Sequence, residues 1–265
     1  MAGSSRVLSL ACAVLAATTV SAQSSDWCRD DGGDWGDRQV RHCEVREHTL
    51  AAAGRLSVDA RPNGGIDVRG WDRNEVRLEV KVMAHAPTEA EARQIASQVD
   101  VHTSGTVRAE GPDHLGGRRS WSVSYRLHVP RSADLSLTSM NGGISVRATQ
   151  GDLELQTTNG GLHLEDVGGK VRGKTTNGGV DLRLTGQEWA GEGVDLRTSN
   201  GGVKVQVPED YNAHLETGTT NGRINVDFPV TVQGRIDREL SVDLGRGGPA
   251  IRVFTTNGGV SLQRR

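Results

Sequence analysis

Aromatic residues are scarce in this chain, which has five Trp, two Tyr and two Phe among 265 residues. Because large rings supply much of the buried area of an ordinary globular core, this deficit predicts a core built from Val, Leu, Ile and Gly. Proline is also scarce, and no Gly-X-Y period accompanies the 35 glycines, which excludes collagen and proline-rich disorder. The net charge of −2 includes no basic surplus, so we expect no nucleic-acid partner.

Long apolar runs are also absent. The longest, residues 7–20, falls short of the ~20 residues that a membrane-spanning helix needs, so we expect no membrane span. It follows Arg6 and precedes the small residues Ser21 and Ala22, which predicts a signal peptide over 1–22 and export to the periplasm or the cell exterior. A lipoprotein acylated at Cys12 is a weaker alternative, because Ser9 stands where that signal usually has Leu.

Without the signal peptide the chain keeps two cysteines, Cys28 and Cys43. In an oxidising compartment two such residues most simply form a disulfide, here within a polar segment over 23–43. A metal site built from Cys28, His42 and Cys43 is disfavoured, because zinc takes four ligands that usually come in spaced pairs. We therefore expect a disulfide, and neither a metal nor a cofactor.

An Asn-Gly-Gly motif recurs along the chain. Each copy is followed by an apolar residue, one intervening residue and a second apolar residue. Its asparagines are Asn63, Asn141, Asn159, Asn177, Asn200 and Asn257, and Asn221 begins a variant in which Arg223 replaces the second glycine. From Asn141 onward the spacings are 18, 18, 23, 21 and 36 residues. Since the last is twice 18, a further rung is expected around Val242 and Leu244.

Each repeat of about 18 residues divides into two nonamers, and each nonamer carries one apolar pair at strand spacing. Nine residues suffice for a strand of ~17 Å and a turn. The sequence therefore predicts an all-β fold, a parallel β-solenoid with two strands per coil and two sheets facing each other across a thin aliphatic core. An antiparallel barrel would share the Asn-Gly turns, but it would not require a constant register.

The Asn-Gly-Gly corners carry two further predictions. Stacked coils should align the Thr and Asn side chains in hydrogen-bonded ladders. The glycines should supply the positive φ that a tight corner needs, and Arg223 implies that only the first glycine is strictly required.

The region before the repeats has a different pattern. Strand signals surround a capping box at 88–91, which predicts a helix ending near Val99. We predict a β-rich hairpin-and-helix cap over 44–130, continuous with solenoid repeats over 131–265. Charges at the C-terminus, Arg264 and Arg265, disfavour end-to-end association through the open sheet edges.

The repeats resemble a bacterial exported family of adhesin-like domains of unknown function. The resemblance covers roughly residues 45–265 and rests on three features: the segment 63–68, the strand ending at His128-Val129-Pro130, and the Thr-Thr-Asn-Gly-Gly-Val repeats. It implies a β-solenoid in or outside the cell envelope with no established enzymatic activity. The coils are also similar to the calcium-binding β-roll, but their turns lack the Asp residues that ligate calcium there.

Residues between the inward apolar pairs should face solvent and stack in ladders. One ladder contains Glu154, Arg172 and Asp195, where cross-strand ion pairs are expected. The other brings His163, Asp181 and Lys204 onto adjacent rungs. Parallel β-helices can host polysaccharide lyases and hydrolases on such a face, with Trp121 or Trp189 as sugar-stacking residues, although fold analogy alone is weak support.

These observations favour a non-enzymatic exported protein of the envelope or cell surface. It would act as an adhesin-like scaffold or binding module whose partner is an envelope protein or a glycan. The alternative is a carbohydrate-active enzyme with His163, Asp181 and Lys204 as its catalytic residues.

Overall fold

A computed structural model describes residues 26–29, 40–52, 54–229 and 238–265. The predicted signal peptide over 1–22 and most of the polar segment over 23–43 lie outside the described residues. Within the described ranges the secondary structure is almost entirely β-strand.

The described elements comprise two short helices and twenty strands. They are α1 Asp26–Arg29, β1 Val40–Ala51, β2 Leu56–Asp59, β3 Ile66–Trp71, β4 Glu75–Ala86, α2 Glu89–Ser97, β5 Asp100–His102, β6 Thr106–Glu110, β7 Ser120–Pro130, β8 Leu135–Thr138 and β9 Ile144–Thr149. The repeats continue with β10 Leu153–Asn159, β11 Leu162–Val167, β12 Lys170–Asn177, β13 Val180–Arg183, β14 Gly193–Asn200, β15 Val203–Val207, β16 Ala213–Asn221, β17 Ile224–Val226, β18 Glu239–Leu244, β19 Ala250–Asn257 and β20 Val260–Arg264.

The strands form two ten-stranded sheets. The first sheet has the order β1-β4-β7-β3-β9-β11-β13-β15-β20-β17, and the second has the order β18-β16-β19-β14-β12-β10-β8-β2-β6-β5. Each repeat gives one strand to each sheet: Leu153 of β10 lies beside Val171 of β12 in the second, and Leu162 of β11 lies beside Val180 of β13 in the first. The parallel pairing confirms the predicted solenoid.

The apolar pair of each strand points between the two sheets, as predicted. Leu164, Leu182 and Leu196 are fully buried, whereas the side chain of His163 keeps 33% of its surface exposed. Side chains from only two facing sheets fill this core. Aliphatic residues pack such a thin layer closely, whereas a smaller number of large aromatic rings would leave voids. The scarcity of aromatic residues thus has a structural reason.

The predicted asparagine ladder runs along one corner of the solenoid. From Asn141 onward in the stack, each side-chain amide donates to the side-chain oxygen of the asparagine on the preceding coil at 2.7–2.9 Å. In spatial order the ladder is Asn63, Asn141, Asn159, Asn177, Asn200, Asn257 and Asn221. Six consecutive hydrogen bonds therefore fix the register of seven coils.

The reason for the corner glycines differs from the prediction. None of the Asn-Gly-Gly glycines has a positive φ, so the expectation of a left-handed corner was wrong. Instead, a Cβ on the first glycine would meet the backbone of the adjacent coil, as at Gly178, where it would lie 2.1 Å from the carbonyl oxygen of Gly160. A Cβ on the second glycine, as at Gly179, would keep 3.2 Å from the nearest oxygen. This spacing agrees with Arg223 at the second position.

The threonine two residues before five of the seven asparagines forms a second ladder, and Ser139 takes the same position before Asn141. Thr175 is 4% exposed, and its hydroxyl donates to the carbonyl oxygen of Gly160 on the adjacent coil at 2.7 Å. Equivalent bonds of 2.7–2.8 Å are made by Thr157, Thr198, Thr219 and Thr255. The first threonine of the pair is therefore structural, while the second is exposed at Thr176, Thr220 and Thr256.

We expect Thr175→Val to lower the free energy of unfolding by about 1–2 kcal/mol, because the variant keeps the shape and loses a buried hydrogen bond. The matched control is Thr176→Val, next along the chain and exposed, which should change stability by less than ~0.5 kcal/mol. Urea denaturation measures both. Equal effects in the two variants would contradict the assigned role.

The coils do not stack in the order of the chain. The last coil, β19 and β20, lies between β14 and β16 in the second sheet and between β15 and β17 in the first. The rung expected at Val242 and Leu244 was also wrong: β18 pairs antiparallel with β16 at the end of the second sheet. The 18-residue spacing alone does not predict whether the strand at Val242 and Leu244 pairs parallel in the first sheet or antiparallel in the second.

The N-terminal strands extend both sheets. β2 pairs with β8 and β3 pairs with β9, so the coil of Asn63 joins the solenoid directly. Helix α2 begins where the capping box predicts, since the hydroxyl of Thr88 accepts from the backbone N–H of Glu91 at 3.3 Å. The side chain of Arg46 on β1 donates to the carbonyl oxygens of Ala96 and Val99 and thereby satisfies the end of this helix.

Candidate functional site

A groove of about 1020 Å³ runs along the outer face of the first sheet. Its floor carries the outward side chain of successive strands, namely Asp67, Ser145, His163, Asp181, Lys204 and Ser261 on β3, β9, β11, β13, β15 and β20. At ~4.8 Å per strand this row is about 24 Å long. The second glycine of each corner lines the groove beside it, as Gly143, Gly161, Gly179 and Gly202 do, which leaves a strip without side chains.

The three residues predicted as a possible catalytic set lie side by side on this floor. His163 is in register with Asp181, and Asp181 is in register with Lys204. His163 Nδ1 lies 3.4 Å from Asp181 Oδ2, and about a third of each side chain is exposed. The sequence ladder therefore placed these residues correctly, and Ser145 completes the row on the other side of His163.

Several polar atoms on the floor have no partner within the described part of the chain. Ser145 Oγ and Asp181 Oδ1 are buried without a hydrogen bond, and Lys204 forms no ion pair or hydrogen bond with a described residue. Buried polar atoms in native proteins normally find a partner. The side chains of Asp181 and Lys204 are themselves partly exposed, so a molecule in the groove can reach this row.

A network of ion pairs borders the floor. Arg147 lies 3.5 Å from Asp67 and 3.8 Å from Glu165, and Arg183 bonds to Glu165 at 2.8 Å and to Gln206 at 2.8 Å. The hydrogen bond from Arg183 holds the pKa of Glu165 below its usual value. Charges of both signs thus alternate along this border.

Helix α1 forms the N-terminal end of the groove. Its Trp27 lines the groove and lies under two cations, with the Arg126 guanidinium 4.2 Å and the Lys81 ammonium 4.8 Å from the ring centre. The predicted disulfide between Cys28 and Cys43 is present and ties this helix to β1. Trp27 was not predicted from the sequence, where its only distinguishing feature is its position beside Cys28.

Neither tryptophan proposed for sugar stacking lies in the groove. Trp189 is 3% exposed, and its indole N–H donates to the carbonyl oxygen of Gly169 at 3.0 Å, so that proposal was wrong for Trp189. Trp121 is half-buried and donates to the carbonyl oxygen of Pro112 at 3.0 Å. Both rings cover the core.

The outer face of the second sheet carries the other predicted ladder. Glu154, Arg172 and Asp195 are in register on adjacent strands. These two carboxylates nevertheless pair with other arginines, since Asp195 binds Arg197 at 2.9 Å and Glu154 lies 3.8 Å from Arg55. Exposed pairs of this kind contribute little to stability.

A histidine cluster at the end of the second sheet contains the residue types of a hydrolase triad. His214 Nδ1 lies 2.7 Å from Asp243, and His214 Nε2 lies 3.3 Å from the hydroxyl of Ser241. However, Glu216 approaches the same Nε2 at 3.4 Å and also binds Arg252 at 2.9 Å. Since a carboxylate competes with the serine for that nitrogen, we assign the cluster to surface ion pairing.

Among the described residues no three His, Cys, Asp or Glu side chains are grouped so that they could hold a metal ion. The helices in the same ranges are all too short or too polar to cross a membrane.

Comparisons with known proteins place the fold in context. Residues 74–263 match the Toastrack DUF4097 family. Similar structures include a candidate cell adhesion protein from Clostridium sporogenes, with 12% identity over 85% of this chain and 100% of that chain and a TM-score of 0.49. Others are a candidate adhesin from Bacteroides fragilis (11% identity, 84% and 97% coverage, TM-score 0.41) and a candidate lipid-binding protein from Parabacteroides distasonis (9%, 83% and 96%, 0.34). No curated protein matches the sequence.

Proposed function

This chain belongs to the Toastrack DUF4097 family, in agreement with the adhesin-like resemblance of its repeats, and we propose that it is a non-enzymatic binding module of the cell envelope or cell surface. The observation that carries the proposal is the groove of the first sheet, with its row of unpartnered polar atoms. The disulfide between Cys28 and Cys43 supports export, because such bonds persist in oxidising compartments.

The enzymatic alternative has weaker support. Glycosidases need two carboxyl groups about 5–9.5 Å apart, whereas Asp67 and Asp181 on the groove floor lie three strands apart, or about 14 Å. Glu165 lies on the same face, but its pKa is lowered by Arg183. A general acid needs a raised pKa, so this carboxylate does not suit that role.

Filling the groove tests the proposal. We expect Ser145→Trp to reduce retention of material from an envelope extract by immobilised protein at least tenfold, because the indole would occupy the middle of the floor. Ser136→Trp is the matched control, since Ser136 occupies the equivalent outward position of β8 on the second sheet. It should retain the same material as the wild-type protein.

Two results would contradict the proposal. One is equal retention by the two tryptophan variants, which would show that the groove is not the binding surface. The other is release of reducing ends from envelope polysaccharide by the wild-type protein but not by His163→Ala or Asp181→Ala, which would establish the enzyme.

A further inference from the structure

We infer that the groove binds an extended, uncharged and hydroxyl-rich glycan chain whose terminal sugar packs against Trp27. This inference rests on the proposed function and specifies the ligand of the same groove. Three features carry it: the alternation of donors and acceptors on the floor, the glycine strip beside them, and the aromatic ring of Trp27 at one end.

The floor presents donors and acceptors one strand apart. Asp181 presents a partly exposed carboxylate as an acceptor, Lys204 on the next strand offers donors, and the half-buried hydroxyl of Ser145 can do both. A sugar hydroxyl also donates and accepts, so the hydroxyls of a glycan can form hydrogen bonds with all three side chains, although Asp181 and Lys204 carry opposite charges. A polyanion would face Asp67 and Asp181, and a polycation would face Lys204 and Arg147. A neutral polyol avoids both conflicts.

The glycine strip favours a ring over a peptide. Gly143, Gly161 and Gly179 line the groove without side chains, so a flat pyranose can approach the backbone closely. The backbone groups of the floor strands are already paired within the sheet. An extended peptide gains its affinity from backbone pairing at a free sheet edge, and this face offers none, which would leave its amides dependent on a few side chains.

The end of the groove suits a chain terminus. Trp27 is held by the cations of Lys81 and Arg126, and its helix is tied down by the Cys28–Cys43 disulfide. A fixed ring offers a large apolar surface at little entropic cost, and the apolar face of a sugar can pack against it. Because α1 lies at the β7 side of the floor, the chain would begin there and extend toward β20.

The test uses a soluble polysaccharide fraction from the envelope of the bacterium that carries the protein, digested with proteinase K and divided in two. One half is oxidised with periodate, which cleaves vicinal diols. We expect the full chain to bind the unoxidised half in biolayer interferometry and the oxidised half at least tenfold more weakly. Binding should change less than twofold between 0.05 and 0.5 M NaCl, because an uncharged ligand is not screened.

The variants locate the ligand. Lys204→Ala and Trp27→Ala should each weaken binding of the unoxidised half about five- to tenfold, the loss expected for one contact of ~1–1.4 kcal/mol. Lys204 has no partner in the described structure, so its removal does not threaten folding. Arg172→Ala, on an outward position of the second sheet, is the control and should bind as the wild type does.

Other outcomes overturn the inference separately from the proposed function. If proteinase K abolishes binding to an extract that Ser145→Trp still fails to retain, the groove binds a protein and the glycan assignment is wrong. Equal binding of the oxidised half, or a loss of binding at high salt, also rejects an uncharged polyol. If the undigested extract does not bind at all, the inference and the proposed function both fail.

Discussion

Gly201→Ala is expected to lower the free energy of unfolding by more than ~3 kcal/mol, a loss at the upper end of single substitutions. The added Cβ would lie 2.0 Å from the carbonyl oxygen of Gly178 on the adjacent coil, well inside van der Waals contact. Relief would require the two coils to separate, which breaks the bonds of Asn200 and Thr198 to the same coil. Guanidinium denaturation followed by circular dichroism measures the change.

The next residue in the same turn supplies the control. A Cβ on Gly202 would keep 3.6 Å from the nearest atom, the carbonyl oxygen of Gly259, and its φ is not positive. Gly202→Ala should therefore change stability by less than ~1 kcal/mol, as the natural Arg223 at the equivalent position suggests. A large loss in both variants would mean that the turn requires glycine for its backbone conformation, as the sequence alone suggested.

These two glycines show that the sequence of a single turn does not reveal why a glycine is needed there. The Asn-Gly-Gly spacing predicted the solenoid, the asparagine ladder and the inward apolar pairs, because all three follow from strand periodicity and stacking. The reason for the first glycine lies in the neighbouring coil, where the carbonyl of Gly178 approaches Gly201. Local turn chemistry pointed to a positive φ, whereas the contact between coils decides the residue.

Part of the candidate site could also be predicted from the sequence, and part could not. His163, Asp181 and Lys204 occupy equivalent positions of successive repeats, so their adjacency on the first sheet could be predicted from spacing. Trp27 precedes the repeats and reaches the groove through α1, the disulfide and the cations of Lys81 and Arg126. No periodic pattern connects Trp27 to the floor residues, and the aromatic end of the groove is therefore visible only in three dimensions.

The stacking order of the coils could not be predicted from the sequence either. Each rung presents the same apolar pair and the same asparagine, so a coil can pair equally well with more than one neighbour. The spacings of 21 and 36 residues after Asn200 permit sequential stacking as well as the observed insertion of β19 and β20. This insertion places β19 and β20 between two coils that precede them in the sequence.

We expect Val253→Asp to reduce the free energy of unfolding by more than ~4 kcal/mol and to expose strands that precede it in the chain. Val253 is fully buried on β19, and an unpaired carboxylate there has no partner to offset its loss of hydration. Because β19 separates β14 from β16, hydrogen exchange should accelerate in Ala213–Asn221 as well as in β19, while β10 keeps its protection. Arg252→Ala, one residue earlier and exposed, removes only a surface ion pair and should cost less than ~1 kcal/mol. If exchange accelerates in β19 and β20 alone, the last coil is terminal and the coils stack in sequence order.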